Sequence, residues 1–294
     1  MNDHFRTILV PHDLSRHSTR ALAMAARLVG ARGRVIVLHV ANTYGNGGVQ
    51  KRVVDEARRA LERVVARTMA SRPGPRVECR VEPGDPYRKI IAAARGADCI
   101  LMSTAGRTGL RYVVIGSVAE KVVRHAPVPV LTFRPDARRP RELFRTILVP
   151  HDFSPHANRA LELAASLAGA DGRLIVLHVV AALPEGANRV ARQVLVEERR
   201  RLARLVARWT SARGAPVIEC RVEAGDPYRH IADATRKADS VVMCTLGRTG
   251  LPHLVIGSVA EKVVRHVSVP VLTIRPPALA ALRSAPTQRS RRSA

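Results

Sequence analysis

Aromatic residues are scarce: four Phe, four Tyr and a single Trp make up 3% of the 294 residues. Recognition of single-stranded nucleic acid draws on stacking platforms, and this chain has little from which to build one. Cysteine is sparse too. Cys79, Cys99, Cys220 and Cys244 form no close C-x-x-C pair, which argues against a zinc site or a redox dithiol. Cys79 and Cys220 fall at matching places in strand-like runs and are expected to be buried thiols, as suits a reducing cytoplasm. No apolar run approaches the ~18 residues of a membrane-spanning helix. The opening MNDHFRT has no positive segment followed by an apolar core, so no signal peptide is expected and the localisation reads as cytoplasmic. Also missing are G-x-S-x-G, G-x-x-x-x-G-K-[ST] and H-E-x-x-H, the commonest sequence signs of a serine hydrolase, a P-loop and a zinc protease.

What the chain has in excess is positive charge, a formal +25 at pH 7. That raises nucleic acid or an anionic surface as a partner. The charge is almost all arginine, however, and it is spread along the whole sequence without interleaved aromatics, so nucleic acid is not the expected partner. A hydrophobic fraction of 46% is that of a soluble globular protein, and the length suits two domains with full cores.

The strongest pattern is an internal repeat. FRTILVPHDLS at Phe5 returns as FRTILVPHDFS at Phe144, and RVIVLHV at Arg34 returns as RLIVLHV at Arg173. RVECRVEPGDPYRKI at Arg76 returns as VIECRVEAGDPYRHI at Val217. A shift of about 140 residues is domain-sized, not solenoid-sized. The charged, proline-bounded stretch from Pro135 to Leu143 marks the junction. It gives a first domain over 1–137, a linker over 138–142, a second domain over 143–277 and a disordered basic tail over 278–294.

Each half alternates short apolar runs with helical patterns. TILVP from Thr7 reads as a strand buried on both faces. Ser15 stands where an N-cap is needed, before a helix to about Val29. After the strand VIVLHV comes a charged helix from Val49 to Met69, with Val53, Val54, Ala57, Leu61 and Val64 at near-helical spacing. VECRV is the third strand; Asp85 and Pro86 then supply the N-cap and first position of the next helix. Runs at Ile100 and Val128 are strands four and five. The alternation predicts an α/β fold with a parallel sheet and helices on both faces. In such sheets ligands sit beyond the carboxyl ends of strands where the strand order reverses.

At the end of strand four stands AGRTGLRYVVIGSVAEKVVRH, repeated as LGRTGLPHLVIGSVAEKVVRH. A glycine loop that opens onto a helix offers unpaired N–H groups to phosphate. One such loop is a weak signal; two near-identical copies in the same strand context are a stronger one.

These residues resemble the universal stress protein family, in a tandem form that covers both halves nearly end to end. The resemblance rests on PHD-[LF]-S after strand one, LHV in strand two, GDP before helix three and the glycine loop. It implies two tandem Rossmann-like domains, each with five parallel strands in the order 3-2-1-4-5, and ATP, with or without Mg2+, between strands one and four. It further implies that Asp13 binds the ribose hydroxyls, that the Val40 backbone meets the adenine edge and that Pro11 lines the base pocket. Gly106, Gly116, Ser117 and Val118 would hold the phosphates, with Arg107 adding charge. The second-half counterparts are Asp152, Val179, Pro150, Gly247, Gly257, Ser258, Val259 and Arg248. Nucleotide-binding members carry G-x2-G-x9-G-[ST], and here the first glycine is replaced by Ser103 and by Cys244. The Ser103 half is therefore expected to bind the more tightly.

His12, His151, His39 and His178 invite a general-base or metal reading, but neighbours along a strand point to opposite faces, and structural roles are expected. Ser15 and Ser154 read as helix caps rather than nucleophiles. No catalytic residue and no metal ligand is assigned. The leading reading is an ATP-binding stress-response sensor or regulator. Its alternatives are an interaction protein of this fold with decayed sites, and a slow ATPase or other hydrolase using Asp13 or His39. The halves are expected to pair antiparallel through strand five. A homodimer through other surfaces, and the identity of a protein partner, stay open.

Overall fold

The structure is a computed structural model that describes residues 5–41, 48–70, 74–105, 115–180, 188–210, 214–245 and 256–275. The first half runs β1 (Thr7–Pro11), α1 (Arg16–Val29), β2 (Arg34–Ala41), α2 (Gly48–Met69), β3 (Arg76–Pro83), α3 (Pro86–Ala94), β4 (Cys99–Ser103), α4 (Ser117–His125) and β5 (Val130–Phe133). The second repeats it as β6 (Thr146–Pro150), α5 (Pro155–Ala168), β7 (Arg173–Val180), α6 (Asn188–Thr210), β8 (Val217–Ala224), α7 (Pro227–Ala234), β9 (Ser240–Cys244), α8 (Ser258–His266) and β10 (Val271–Ile274).

Each half is a parallel sheet in the order 3-2-1-4-5, and the two sheets merge into one of ten strands: β3-β2-β1-β4-β5-β10-β9-β6-β7-β8. The seam is antiparallel, with Leu131 opposite Leu272, Thr132 opposite Val271 and Val130 opposite Thr273. Two threonines reinforce it across the halves: Thr132 Oγ1 donates to Val271 O at 3.3 Å and Thr273 Oγ1 to Val130 O at 3.2 Å. Pairing the two fifth strands removes the apolar sheet edge that either half alone would expose.

Alternation along the strands explains the two layers. Ile8 and Val10 face one side with α1 and α2, while Leu9 faces the other with α3 and α4. The first of these cores is continuous across the seam: it holds Leu22, Leu61 and Phe133 together with Leu161, Leu202 and Leu272. The linker is tied down as well. Arg20 donates to Arg138 O at 3.2 Å and Arg27 to Arg141 O at 3.1 Å, and Arg138 donates to Thr235 O and Ala238 O in the second half. Among the described residues no helix is long and apolar enough to cross a membrane.

Three expectations need correction. Cys79 is only half-buried and Cys220 is exposed, because β3 and β8 are the two outer strands of the ten and lack a neighbour on one side. On α2, Val53 points to solvent at 37% exposure, and the next valine, Val65, joins Val54, Ala57 and Leu61 against the core in place of Val64. The fifth strand begins at Val130, two residues later than the apolar run that predicts it.

Candidate functional site

The carboxyl ends of β1 and β4 lie side by side, since these strands pair directly, and a cavity of about 400 Å³ opens above them. Among the described residues it is walled by Pro11 and Asp13 after β1, Val40 in β2, Ser103 in β4, and Gly116, Ser117 and Val118 at the start of α4. The second half has its equivalent of about 300 Å³, with Pro150, Asp152, Val179, Cys244, Gly257, Ser258 and Val259 in its wall. Every predicted site residue within the described residues is thus brought to one of two cavities. Gly106, Arg107, Gly247 and Arg248 lie outside the described residues.

The turn that presents the carboxylate is the same in both copies. His12 is 3% exposed, and its Nδ1 accepts from the Leu14 amide at 3.0 Å. Nδ1 is therefore unprotonated, and the neutral ring carries its hydrogen on Nε2. His39 Nδ1 donates to His12 O at 2.7 Å, locking β2 onto this turn. The second copy has His151 accepting from Phe153 N at 3.1 Å and His178 donating to His151 O at 2.7 Å. These histidines hold backbone, as expected of structural residues. Leu14 and Phe153 have φ of 66° and 63°, a left-handed conformation that bulky side chains rarely adopt. The strain falls on the residue directly after each cavity aspartate and turns the chain sharply into α1 or α5.

The helix starts around the cavities differ in how they are satisfied. Four starts have side-chain caps: Ser15 on α1, Asp85 on α3, Ser154 on α5 and Asp226 on α7. Among the described residues the starts of α4 and α8 have none. Gly116 and Gly257 are the cap residues there, with φ of −58° and −55°. Among the described residues, a Cβ added at Gly257 would meet only Thr245 O, at 3.4 Å. Neither the backbone angle nor that contact requires a glycine. What its absence of a side chain keeps open is the space in front of the uncapped amides.

Two residues that sequence reasoning passed over separate the halves. Ser18 Oγ donates to Asp13 Oδ1 at 2.7 Å, and the Ser15 amide reaches the same oxygen at 3.1 Å. Burial alone raises the Asp13 pKa, but hydrogen bonds from the Ser15 and Ser18 side chains and nearby amides outweigh it and leave the carboxyl below its ordinary value. The second half has Ala157 at the place of Ser18, and Asp152 Oδ1 accepts from the Ser154 amide at 3.0 Å. Aligning the two halves of the sequence would have flagged this pair; alone, a serine in the first turn of a helix carries no signal. Ser103 Oγ accepts from the Ala105 amide at 3.3 Å, whereas the Cys244 thiol donates to His156 O at 2.9 Å. Burial first, and then the Asp152 charge, push that thiol up to about 12, so it stays protonated. Among the described residues no three His, Cys, Asp or Glu side chains converge as a metal site.

The chain matches the family described as "Universal stress protein family" twice, over residues 4–134 and 143–275. A universal stress protein of Mycolicibacterium smegmatis is 27% identical over 293 residues, covering 92% of this chain and 97% of that one. One from Thermus aquaticus is 36% identical over 137 residues, 44% of this chain and 99% of that one, as expected of a single-domain relative. The crystal structure of a universal stress protein from Archaeoglobus fulgidus superposes with a TM-score of 0.69 at 26% identity, covering 92% of this chain and 98% of that chain. Two consecutive family matches over nearly the whole length, on a fold that repeats itself across an antiparallel seam, make this chain a tandem member of the universal stress protein family.

Proposed function

We propose that each half holds an adenine nucleotide, ATP foremost, and that the protein serves as a nucleotide-dependent stress-response sensor or regulator. The observation that carries this reading is the pairing, within one cavity, of an uncapped helix start with a carboxylate. At α4 no side chain among the described residues caps the amides of Ser117 and Val118, and a helix start of this kind favours phosphate. On the other wall Asp13 can accept hydrogen bonds from a ribose. Pro11 and the Val40 backbone would border the base. Gly106 and Arg107 would complete the phosphate end, and Asp152, Val179, Pro150, Gly257, Ser258, Val259, Gly247 and Arg248 would do the same in the second half. Magnesium would arrive on the phosphates rather than in a protein cage. The cavity histidines are committed to backbone, which favours binding over hydrolysis.

The test is calorimetric titration with ATP of wild type and of Gly116→Val/Gly257→Val. The double variant is expected to lose binding while keeping its circular dichroism spectrum, because φ at both glycines suits any residue. ATP binding that survives the double change would remove the phosphate end from α4 and α8. A nucleotide-independent interaction role has one specific observation in its favour, the replacement of polar groups by Ala157 and Cys244, and it applies to the second half only.

A further inference from the structure

The two cavities are copies in outline but not in wiring. Ser18 is 5% exposed, so its hydroxyl must be satisfied within the protein. It has one proton and three acceptors in reach: Asp13 Oδ1 at 2.7 Å, Ser15 O at 3.0 Å and Ser15 Oγ at 3.3 Å. The charged acceptor at the shortest distance is the strongest partner. Asp13 Oδ1 also receives the Ser15 amide, which fills that oxygen with two donors from the start of α1. The carboxylate is thereby fixed in rotation, and among the described residues Oδ2 receives no donor, which leaves its lone pairs for whatever enters the cavity.

The second cavity lacks this arrangement. Ala157 offers no hydroxyl, so among the described residues Asp152 Oδ1 is held by one amide, and the carboxylate is freer to turn about its bond to the β-carbon. Its neighbour is the protonated thiol of Cys244, which already donates elsewhere.

We propose that Ser18 is a positioning residue that makes the first cavity selective for a ribose with both hydroxyls, and that the second cavity, with Ala157 in its place, has lost that selectivity. This rests on the nucleotide reading given above. In function the chain is then asymmetric: one ribonucleotide-selective site of higher affinity, and a second that accepts ribo- and deoxyribonucleotides alike. A pre-oriented acceptor discriminates against a ligand that lacks the matching hydroxyl, because its half-buried lone pairs then lose that donor. An acceptor free to turn discriminates less.

The experiment titrates the full chain with ATP, 2′-deoxy-ATP and 3′-deoxy-ATP. Wild type is expected to bind one ATP per chain at the tighter site, about tenfold better than either deoxy analogue, the scale of one hydrogen bond to a charged group. Ser18→Ala is expected to weaken ATP about tenfold, leave the deoxy analogues nearly unchanged and bring the ratio towards one. Ser18→Thr, which keeps the hydroxyl, restores the ratio, and Ala157→Ser gives the second site a discrimination it lacks. A merely structural serine predicts otherwise: all three nucleotides weaken together and the ratio holds. That result, or an Ala157→Ser chain with no gain, overturns the proposal and leaves the nucleotide reading standing. A wild type that binds none of the three overturns both.

Discussion

His12 sits one residue before the cavity carboxylate and is nearly sealed from water. Burial lowers its pKa to about 4; the Asp13 charge opposes that shift and His39 adds to it. The folded value lies below the ordinary 6.5, so between pH 6.5 and pH 4 the unfolded chain binds more protons than the native one. Stability therefore rises with pH across that window and is lost on acidification, by about 3 kcal/mol for this one group. His12→Asn keeps an acceptor for the Leu14 amide but cannot titrate. Urea unfolding at pH 7 and pH 4.5 should show a smaller acid loss in the variant; an unchanged loss would mean that His12 does not titrate in this way. The polar residues of the site were legible in the sequence to different depths. Asp13 and Gly116 announce themselves through motifs that occur twice. Ser18 does not, because its role depends on a hydrogen bond to a residue five positions earlier that only the strained Leu14 turn brings about.

At the scale of elements, caps decided where helices begin and the sequence displayed most of them. Ser15, Asp85 and Pro86 were readable because a short acceptor before an apolar-periodic run has one common use. Asp226 Oδ1 accepts from the Arg229 amide at 2.8 Å. Asp226→Ala should lower the unfolding free energy by about 1 kcal/mol, measured from urea midpoints, with Asp226→Ser recovering most of it. Equal losses in both variants would show that the carboxylate acts through charge and not as a cap. Strand order was legible only through the family resemblance, since periodicity gives strands but not their neighbours. Side-chain phase on the long helices was less legible. The arginine-rich α2 has an apolar stripe wide enough to admit either Val64 or Val65, and contact with the sheet selects Val65. The exposed Cys220 has the same origin, because an outer strand reads like an inner one until its neighbours are known.

For the molecule as a whole, the question is whether two repeated domains behave as one. The geometry joins them in three ways: a shared sheet across β5 and β10, a continuous apolar core on the α1 and α5 side, and arginines that clamp the linker to both halves. Phe5 and Phe144, the residues just before β1 and β6, also meet, with ring centroids 6.3 Å apart. Separating the halves would expose Leu131, Phe133, Leu272 and Ile274, each no more than 1% exposed in the intact fold. At roughly 1.5–3 kcal/mol for each large apolar side chain returned to water, an isolated half is a poor intermediate. The chain should therefore unfold in a single step. Trp209, the only tryptophan, packs against the core in the second half and gives a local fluorescence signal. Leu61 lies in the first half, on α2 and away from the seam, and is fully buried, so Leu61→Ala should cost about 2–5 kcal/mol. If the halves are coupled, this first-half change moves the Trp209 transition to lower urea by as much as the transition followed by circular dichroism. A Trp209 curve that stays in place while the circular dichroism curve splits in two would mean that the seam joins the halves without coupling their stability.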